Sequence, residues 1–236
     1  MSHSSTSTAA DSPAMAEVKI RRYVDEDNLV VKDIFSLGMH EQIPYFFLHI
    51  LKQPHIQMLL VSVFCVLLAI SRSLLLAMLG VTLLLAAGRQ GICYMIYSYI
   101  QNSMHGDFSN IHQSYLEKPN SCFWVAESQG QVVGTVACCP AKQNEGCVEL
   151  RRVSVKHSHR GQGIGKALCR TVADFAREQG CPAVVLYTSS IQINAQKLYE
   201  HMGYEKVREF ARPELCSSIT KVMVVKYMLD LQQPGN

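Results

Sequence analysis

Thirty-two consecutive residues, Ile56 to Ala87, carry a single charged side chain, Arg72. A straight helix through them would measure about 48 Å at ~1.5 Å per residue, against roughly 30 Å of membrane hydrocarbon. The run is too long for one upright crossing. Ser71-Arg72-Ser73 divides it into two arms of nearly equal length, neither with a polar face. Helices that are apolar all round either face lipid or fill a core, and the near absence of charge favours lipid. The rest of the chain sets the direction of travel. VKIRRY at 18–23 can form a strand, and more strand-like stretches follow Asp107. If one sheet takes strands from both sides of the insert, both flanks lie on one side of a membrane, because a sheet cannot pair through a bilayer. The insert must then return, as a re-entrant hairpin or as two short spans with Arg72 snorkelling at the bend. Lys52 and Arg89 on the flanks fit a cytosolic position for both. Gly91 to Ile100 (GICYMIYSYI) holds three tyrosines and fits an interfacial helix.

A second stretch points to chemistry. Val148 to Val155 (VELRRVSV) has the β-branched alternation of a strand, and Ile164, Leu168, Val172 and Phe175 fall on one face of a following helix. Between them lie Arg160, Gly161, Gln162, Gly163, Ile164, Gly165 and Lys166. A strand that enters a glycine loop opening a helix leaves peptide N–H groups unpaired at the positive end of the helix dipole, a seat for phosphate. A nucleoside-triphosphate loop is excluded, because Arg160 stands where its first glycine belongs and Ala167 where its Ser or Thr belongs. A dinucleotide fingerprint is excluded too: Lys166 replaces the third glycine, and no carboxylate lies in Ala183 to Ser189. A glycine-rich turn that binds nothing is the plain alternative.

What remains, Arg-x-x-Gly-x-Gly after a strand, resembles the pyrophosphate loop of the GNAT superfamily of acetyl-CoA-dependent N-acetyltransferases. About thirty residues on, NAQKLYEHMGY at 194–204 is similar to a second motif of that superfamily, in the expected order. Asn194 at a helix start offers hydrogen bonds to the amide-bearing pantetheine arm, and Tyr199 offers a phenol able to protonate a departing thiolate. Leu198 reads as a core residue of the same helix.

The order of the remaining segments completes the expectation. Residues 1–16 form a Ser/Thr/Ala-rich disordered tail without the basic and apolar regions of a signal peptide. Residues 17–52 hold the first strand and two helices, the second carrying Pro44 in its first turn, and 53–104 the hydrophobic hairpin. Residues 105–236 are the acetyl-CoA-binding core, with a helix ending through Ile111 to Glu117. Strands follow at Cys122 to Glu127, Gln131 to Cys139, Val148 to Val155, Ala183 to Tyr187, Tyr204 to Phe210 and Thr220 to Leu229. The expected fold is α/β, a mixed central sheet flanked by helices with a membrane insert.

Nine cysteines are scattered without metal-site spacing, so no metal is expected, and small buried apolar side chains are their simplest role. The net charge of +3 is modest, with Arg151, Arg152, Lys156, His157, His159 and Arg160 gathered near the loop. That favours an anionic co-substrate and excludes the wide basic surface of a nucleic-acid binder.

A GNAT core with an apolar hairpin between its first helices and its second strand resembles the camello-type membrane N-acetyltransferases, a group that includes endoplasmic reticulum enzymes acting on cysteine S-conjugates, aspartate and protein lysines. The resemblance covers residues 17 to about 229. It implies an acetyltransferase in the endoplasmic reticulum membrane, its catalytic domain facing the cytosol, acting on a primary amine. It places the pantetheine along Val153, Ser154 and Val155, the pyrophosphate at Arg160 to Lys166, and the leaving-thiolate acid at Tyr199. Glu149 is a candidate base, with an ion pair to a neighbouring arginine as the alternative; His157 and His159 are weaker candidates. A binding module that has lost catalysis is the rival reading, disfavoured by the presence of both Asn194 and Tyr199. Acceptor and oligomeric state stay open.

Overall fold

The structure is a computed structural model that describes residues 18–211 and 217–232, so the tail expected at 1–16 lies outside the described residues. Seven strands form one mixed sheet in the order β1-β2-β3-β4-β5-β7-β6. They are β1 (Val18–Arg22), β2 (Cys122–Ser128), β3 (Gln131–Pro140), β4 (Val148–Val155), β5 (Ala183–Ser189), β6 (Glu205–Phe210) and β7 (Val224–Asp230). Every neighbouring pair is antiparallel except β4 and β5. β2 and β3 are joined by a two-residue turn in which Gln129 and Gly130 both adopt positive φ, the geometry that follows the right-handed twist of the strands. The last strand starts at Val224 and not at Thr220, because Ser217–Thr220 closes into a helical turn, α7.

Two apolar layers cover the two faces of the sheet. On one face α5 (Ile164–Glu178) and α6 (Ile193–His201) pack Ile164, Leu168, Val172, Ala176 and Tyr199 against Trp124, Val136, Leu150 and Leu186. Gly134 on β3 lets α5 come close: a Cβ there would lie 3.1 Å from Leu168 Cδ1 and 3.2 Å from the Ser154 carbonyl. On the other face α1 (Asn28–His40), α2 (Ile43–Leu51) and the second half of α4 (Leu74–His105) bury Val31, Phe35, Phe46, Ile92, Ile96 and Ile100 over Phe123 and Val125. Pro44 stands in the first turn of α2, where its missing N–H costs nothing.

The insert is a helical hairpin. α3 (Pro54–Ser71) buries none of its side chains within the protein, and α4 runs antiparallel to it. The bend is made by Arg72, left-handed at φ 50° and exposed, while Ser71 Oγ caps the preceding helix by donating to the Leu67 carbonyl at 2.7 Å. α3 spans 18 residues and α4 spans 32, so the two helices are far from equal. The reason is that Gly91 to Ile100 does not form a helix of its own. Ile92, Ile96 and Ile100 recur every fourth residue, which continues α4 out of the apolar zone and docks it on α1 and α2, while Tyr94, Tyr97 and Tyr99 stay outside. α4 then ends at His105, and His112–Leu116 is a separate π-helical turn, so Ile111 to Glu117 is not the tail of a long helix.

Both α3 and α4 are long and apolar enough to cross a membrane. β1, which precedes the hairpin, pairs residue for residue with β2, which follows it, from Val18↔Ser128 to Arg22↔Trp124. Chain on either side of the insert is therefore held in one body.

A candidate acyl-transfer cleft

β4 and β5 run parallel but pair only through Val148↔Val184, Glu149↔Val185 and Leu150↔Leu186. Beyond Leu150 the strands part, although β4 continues to Val155 and β5 to Ser189. The cause of the parting lies in β4. Arg152 takes a left-handed conformation at φ 56°, and the register against β3 slips between Thr135↔Ser154 and Ala137↔Arg151, so β4 carries an extra residue there. Such a bulge bends its strand away from the neighbour. Thr135 holds it in place by donating its hydroxyl to the Arg152 carbonyl at 2.9 Å.

The result is a wedge between two parallel strands at their carboxyl ends, the usual position of ligand crevices in such sheets. Val153, Ser154 and Val155 line its β4 side, and their far edge is hydrogen-bonded to β3. The near edge can take an extended, amide-bearing chain as an added strand. Ser154 Oγ is turned to α1, donating to the Ile34 carbonyl at 3.3 Å, so this residue contributes backbone to the wedge.

The glycine loop closes the end of the wedge. Gly161 (φ 78°) and Gly163 (φ 80°) are both left-handed, and a Cβ at either would meet nothing within 4 Å. The open space above them is the approach a phosphate needs, and Gly163 is the N-cap of the 15-residue helix α5. Gly165 is different. A Cβ there would sit 3.3 Å from Leu198 Cδ2, so it serves the packing of α6 on α5. Ile164 is buried beneath the loop, whereas Gln162 and Lys166 are exposed on it.

The expected concentration of positive charge is smaller than the sequence suggests. Arg160 is ion-paired to Glu41 at 2.5 Å and also donates through Nε to the Val155 carbonyl at 3.0 Å. Arg151 and Arg152 turn to the α1 face, where they meet Glu149 and Asp107. His157 is exposed, and Ser158 Oγ and His159 Nδ1 are hydrogen-bonded at 2.9 Å. Lys156 and Lys166 form no ion pair among the described residues.

The two candidate acid and base residues lie on opposite faces of the sheet. Glu149 alternates with Val148 and Leu150, which are buried under α5, so its carboxylate faces the α1 side and pairs with Arg151 at 3.2 Å. The ion pair anticipated as the alternative role of Glu149 is thus formed. Tyr199 lies under α6 on the other face, its ring 5.8 Å from that of Tyr204 and 6.2 Å from that of Tyr227. Burial pushes its phenol well above the usual tyrosine range, with nearby Cys169 adding to the shift, and its hydroxyl has no hydrogen-bond partner among the described residues. Asn194 is the second residue of α6 and exposed; the residue at the cap is Gln192, whose Oε1 accepts from Thr188 Oγ1 at 2.8 Å.

Comparison with known proteins decides what this arrangement is. The Acetyltransferase (GNAT) family profile matches residues 93–204. The chain is 44% identical over 195 residues to N-acetyltransferase 8F1 of Rattus norvegicus, covering 81% of this chain and 88% of the relative. It is 42% identical over 198 residues to N-acetyltransferase 8 of Mus musculus, covering 83% and 87%. The chain belongs to the GNAT acetyltransferase family. A GNAT acetyltransferase from Staphylococcus aureus shares the fold at 20% identity and a TM-score of 0.55, over 92% of this chain and all of that one.

In this acetyl-CoA-dependent N-acetyltransferase the bulge is secured by a buried polar cluster that the sequence does not announce. The Arg152 guanidinium donates to both carboxylate oxygens of Asp107, at 2.9 and 2.6 Å, and to Ser103 Oγ at 3.2 Å. It is stacked 4.8 Å from the ring centroids of both Phe35 and Phe108. Tyr115 donates its hydroxyl to the same carboxylate. Burial works against the charge of Asp107, but the hydrogen bonds and charge of Arg152 outweigh it and hold the carboxyl below its usual range. Loop residue, hairpin end and strand bulge are so tied together. The sequence signal was the Arg151-Arg152 pair, which interrupts the alternation of VELRRVSV.

Proposed function

We propose that the chain is a membrane-bound N-acetyltransferase that moves acetyl from acetyl-CoA directly to a primary amine, with a small amino acid, a cysteine S-conjugate or a protein lysine as the acceptor class. The observation that carries this is the wedge itself: an open strand edge, a glycine-lined helix N-terminus at its end, and polar groups on both faces of the sheet at the point of parting. Acetyl-CoA supplies the activated acetyl group. The free edge of Val153 to Val155 is suited to hold the pantetheine and present an N–H to the thioester oxygen. The N–H groups of Gly161 to Lys166 suit the pyrophosphate.

The amine adds to the thioester carbonyl and must lose a proton, and the thiolate expelled as the tetrahedral intermediate collapses must gain one, so the reaction needs both a base and an acid. Glu149 on the α1 face is the proposed acceptor of the ammonium proton, directly or through water, and its ion pair with Arg151 orients it. Tyr199 on the α6 face is neutral at physiological pH and has its proton to give. The hairpin α3–α4, with Lys52 and Arg89 on its flanks, supports anchoring in a membrane of the endoplasmic reticulum with the catalytic body on the cytosolic side. Mouse and rat relatives carry the name N-acetyltransferase 8, which supports an amine acceptor. Incubation of the purified protein with isotope-labelled acetyl-CoA and panels of amino acids, cysteine conjugates and lysine peptides, read by mass spectrometry, tests the reading. Acetyl-CoA binding with no labelled product from any panel would leave a binding module in its place.

A further inference from the structure

Two glycines in α4 are not explained by packing. At Gly80 a Cβ would lie 2.4 Å from Leu67 Cδ1, so that glycine faces α3 at the contact between the two helices. At Gly88 and Gly91 a Cβ would meet nothing within 4 Å. Both sit inside a helix, where glycine is among the poorest choices and alanine would fit without contact. The space they leave is part of a groove of about 400 Å³ between α2, α3 and α4. Phe47 and Ile50 of α2, Leu60 of α3, and Leu85 and Met95 of α4 are among its lining, and Met95 also packs on the apolar layer of the catalytic body. Ile219 of α7 lies over it, tied down by a 2.8 Å hydrogen bond between the Ile219 carbonyl and His55 Nε2.

The chemistry of the lining excludes most ligands. Apart from Thr220 the lining side chains among the described residues are apolar, so nothing converges to orient a polar group. The volume is within the roughly 300–1,000 Å³ of small-molecule sites. The parts of this chain outside the described residues are poor occupants: 1–17 is rich in Ser and Thr, 212–216 carries Arg212 and Glu214, and 233–236 is Gln-Pro-Gly-Asn. Two of the groove's walls are the hairpin helices, on which Leu59 in the lining and Leu75 and Leu79 nearer the bend are all more than half exposed, so the groove opens on helices whose surface a bilayer would cover. Its inner end lies beside Ile92 and Ile96, the residues that dock α4 on the catalytic body.

We propose that this groove is a binding site for one acyl chain of a bilayer lipid, entering between α3 and α4 and ending beneath α2. The site rests on the membrane reading of the hairpin. A lipid chain in it fills the volume left by Gly88 and Gly91 and completes the apolar contact between the hairpin and the body.

Full-length protein in phosphatidylcholine vesicles doped with a phosphatidylcholine bearing a mid-chain diazirine tests this. After photolysis, peptide mass spectrometry should find lipid adducts at Phe47, Ile50 and Met95 as well as at the outward-facing Leu75 and Leu79. Gly88→Leu, which also raises helix propensity, fills the groove and should lower the inner adducts by about tenfold, since a close-packed interior leaves no room for a second chain. Adducts at Leu75 and Leu79 should not change. Gly91→Leu is the second variant, and acetyl-CoA binding by calorimetry reports that each is folded. Adducts at Leu75 and Leu79 but none at Phe47 or Ile50 overturn the groove and leave the membrane hairpin standing. Absence of adducts throughout overturns both. Inner adducts that persist in the filled variants, or links to a second copy of the chain in their place, overturn the lipid site.

Discussion

The carboxylate of Glu41 lies 2.5 Å from the guanidinium of Arg160, at the joint between α1 and α2. The pair therefore joins the glycine loop to the helices that cover the other face of the sheet. Arg160 also donates to the Val155 carbonyl, an atom of the strand edge assigned to pantetheine. The same arginine cannot serve Glu41, Val155 and an incoming pyrophosphate equally, so Glu41 competes for it. Glu41→Gln should tighten acetyl-CoA binding by up to about fivefold, the ceiling set by exposed ion pairs worth about 0.2–1 kcal/mol. Calorimetry at low and high salt measures it, and the gain should shrink as salt rises. Weaker binding would mean that Glu41 aims Arg160 at the phosphate.

Gly163 should tolerate no side chain. Its φ of 80° strains any L-residue, and it caps α5 where the pyrophosphate is assigned. Gly163→Glu adds a carboxylate to that seat and should abolish acetyl-CoA binding in calorimetry while membrane association is retained. Unchanged affinity would remove the phosphate role from the loop.

Asp107 should be the acid-sensitive point of the fold. Arg152 is 8% exposed at its side chain and Asp107 18%, so the pair is largely withdrawn from water. Asp107→Asn leaves a buried guanidinium without its counter-charge and should cost about 3–5 kcal/mol, seen as a lower Tm. The folded carboxyl titrates below its unfolded value of about 3.9, so its contribution is complete above that pH and is lost as pH falls through the lower folded value. Wild type should lose stability in that window, and Asp107→Asn should show a flatter profile there. Parallel profiles would mean that another carboxylate carries the acid sensitivity.

How much of this was legible in the sequence depends on the range of the cause. The strands, the glycine loop and α5 follow from alternation, glycine placement and a repeat of apolar residues, all local signals, and the sheet that contains them is as expected. The apolar run alone does not give the length of α4, because Ile92, Ile96 and Ile100 carry the helix past Ala87 and dock it on the body. The parting of β4 and β5 had no local signal. It depends on a left-handed Arg152, and arginine has no preference for that conformation. It is held by contacts distant in sequence, Asp107 on its guanidinium, 45 residues earlier, and Thr135 on its carbonyl. Asn194 does fall at the helix start, as the second residue of α6 after the Gln192 cap, because the motif that carries it is a local signal.

The hairpin should leave both ends of the chain on one side. β1 and β2 are paired along five residues across the insert, and that ladder cannot form through hydrocarbon. Tags placed after Met15 and after Asn236 should show the same protease protection in sealed microsomes. Opposite protection would contradict the paired sheet in the membrane-bound protein.

Tyr199 separates a transferase from a binding module. Its ring is packed with Tyr204 and Tyr227, and its hydroxyl has no partner among the described residues. Burial keeps this phenol neutral but also makes it a weaker acid than a free tyrosine, so the proposed donation to the departing thiolate rests on its position and not on its acidity. Because no hydrogen bond is lost, Tyr199→Phe should change Tm little, unlike a substitution that orphans a partner. Acetyl-CoA affinity should also hold, since the ring and its packing remain. With the amine saturating, kcat should fall by roughly 100-fold, the scale typical of a lost general acid. The combination is diagnostic. A fall in kcat with unchanged Tm and Kd assigns the proton to Tyr199; unchanged turnover hands the role to water or another group; loss of cofactor binding makes the residue structural.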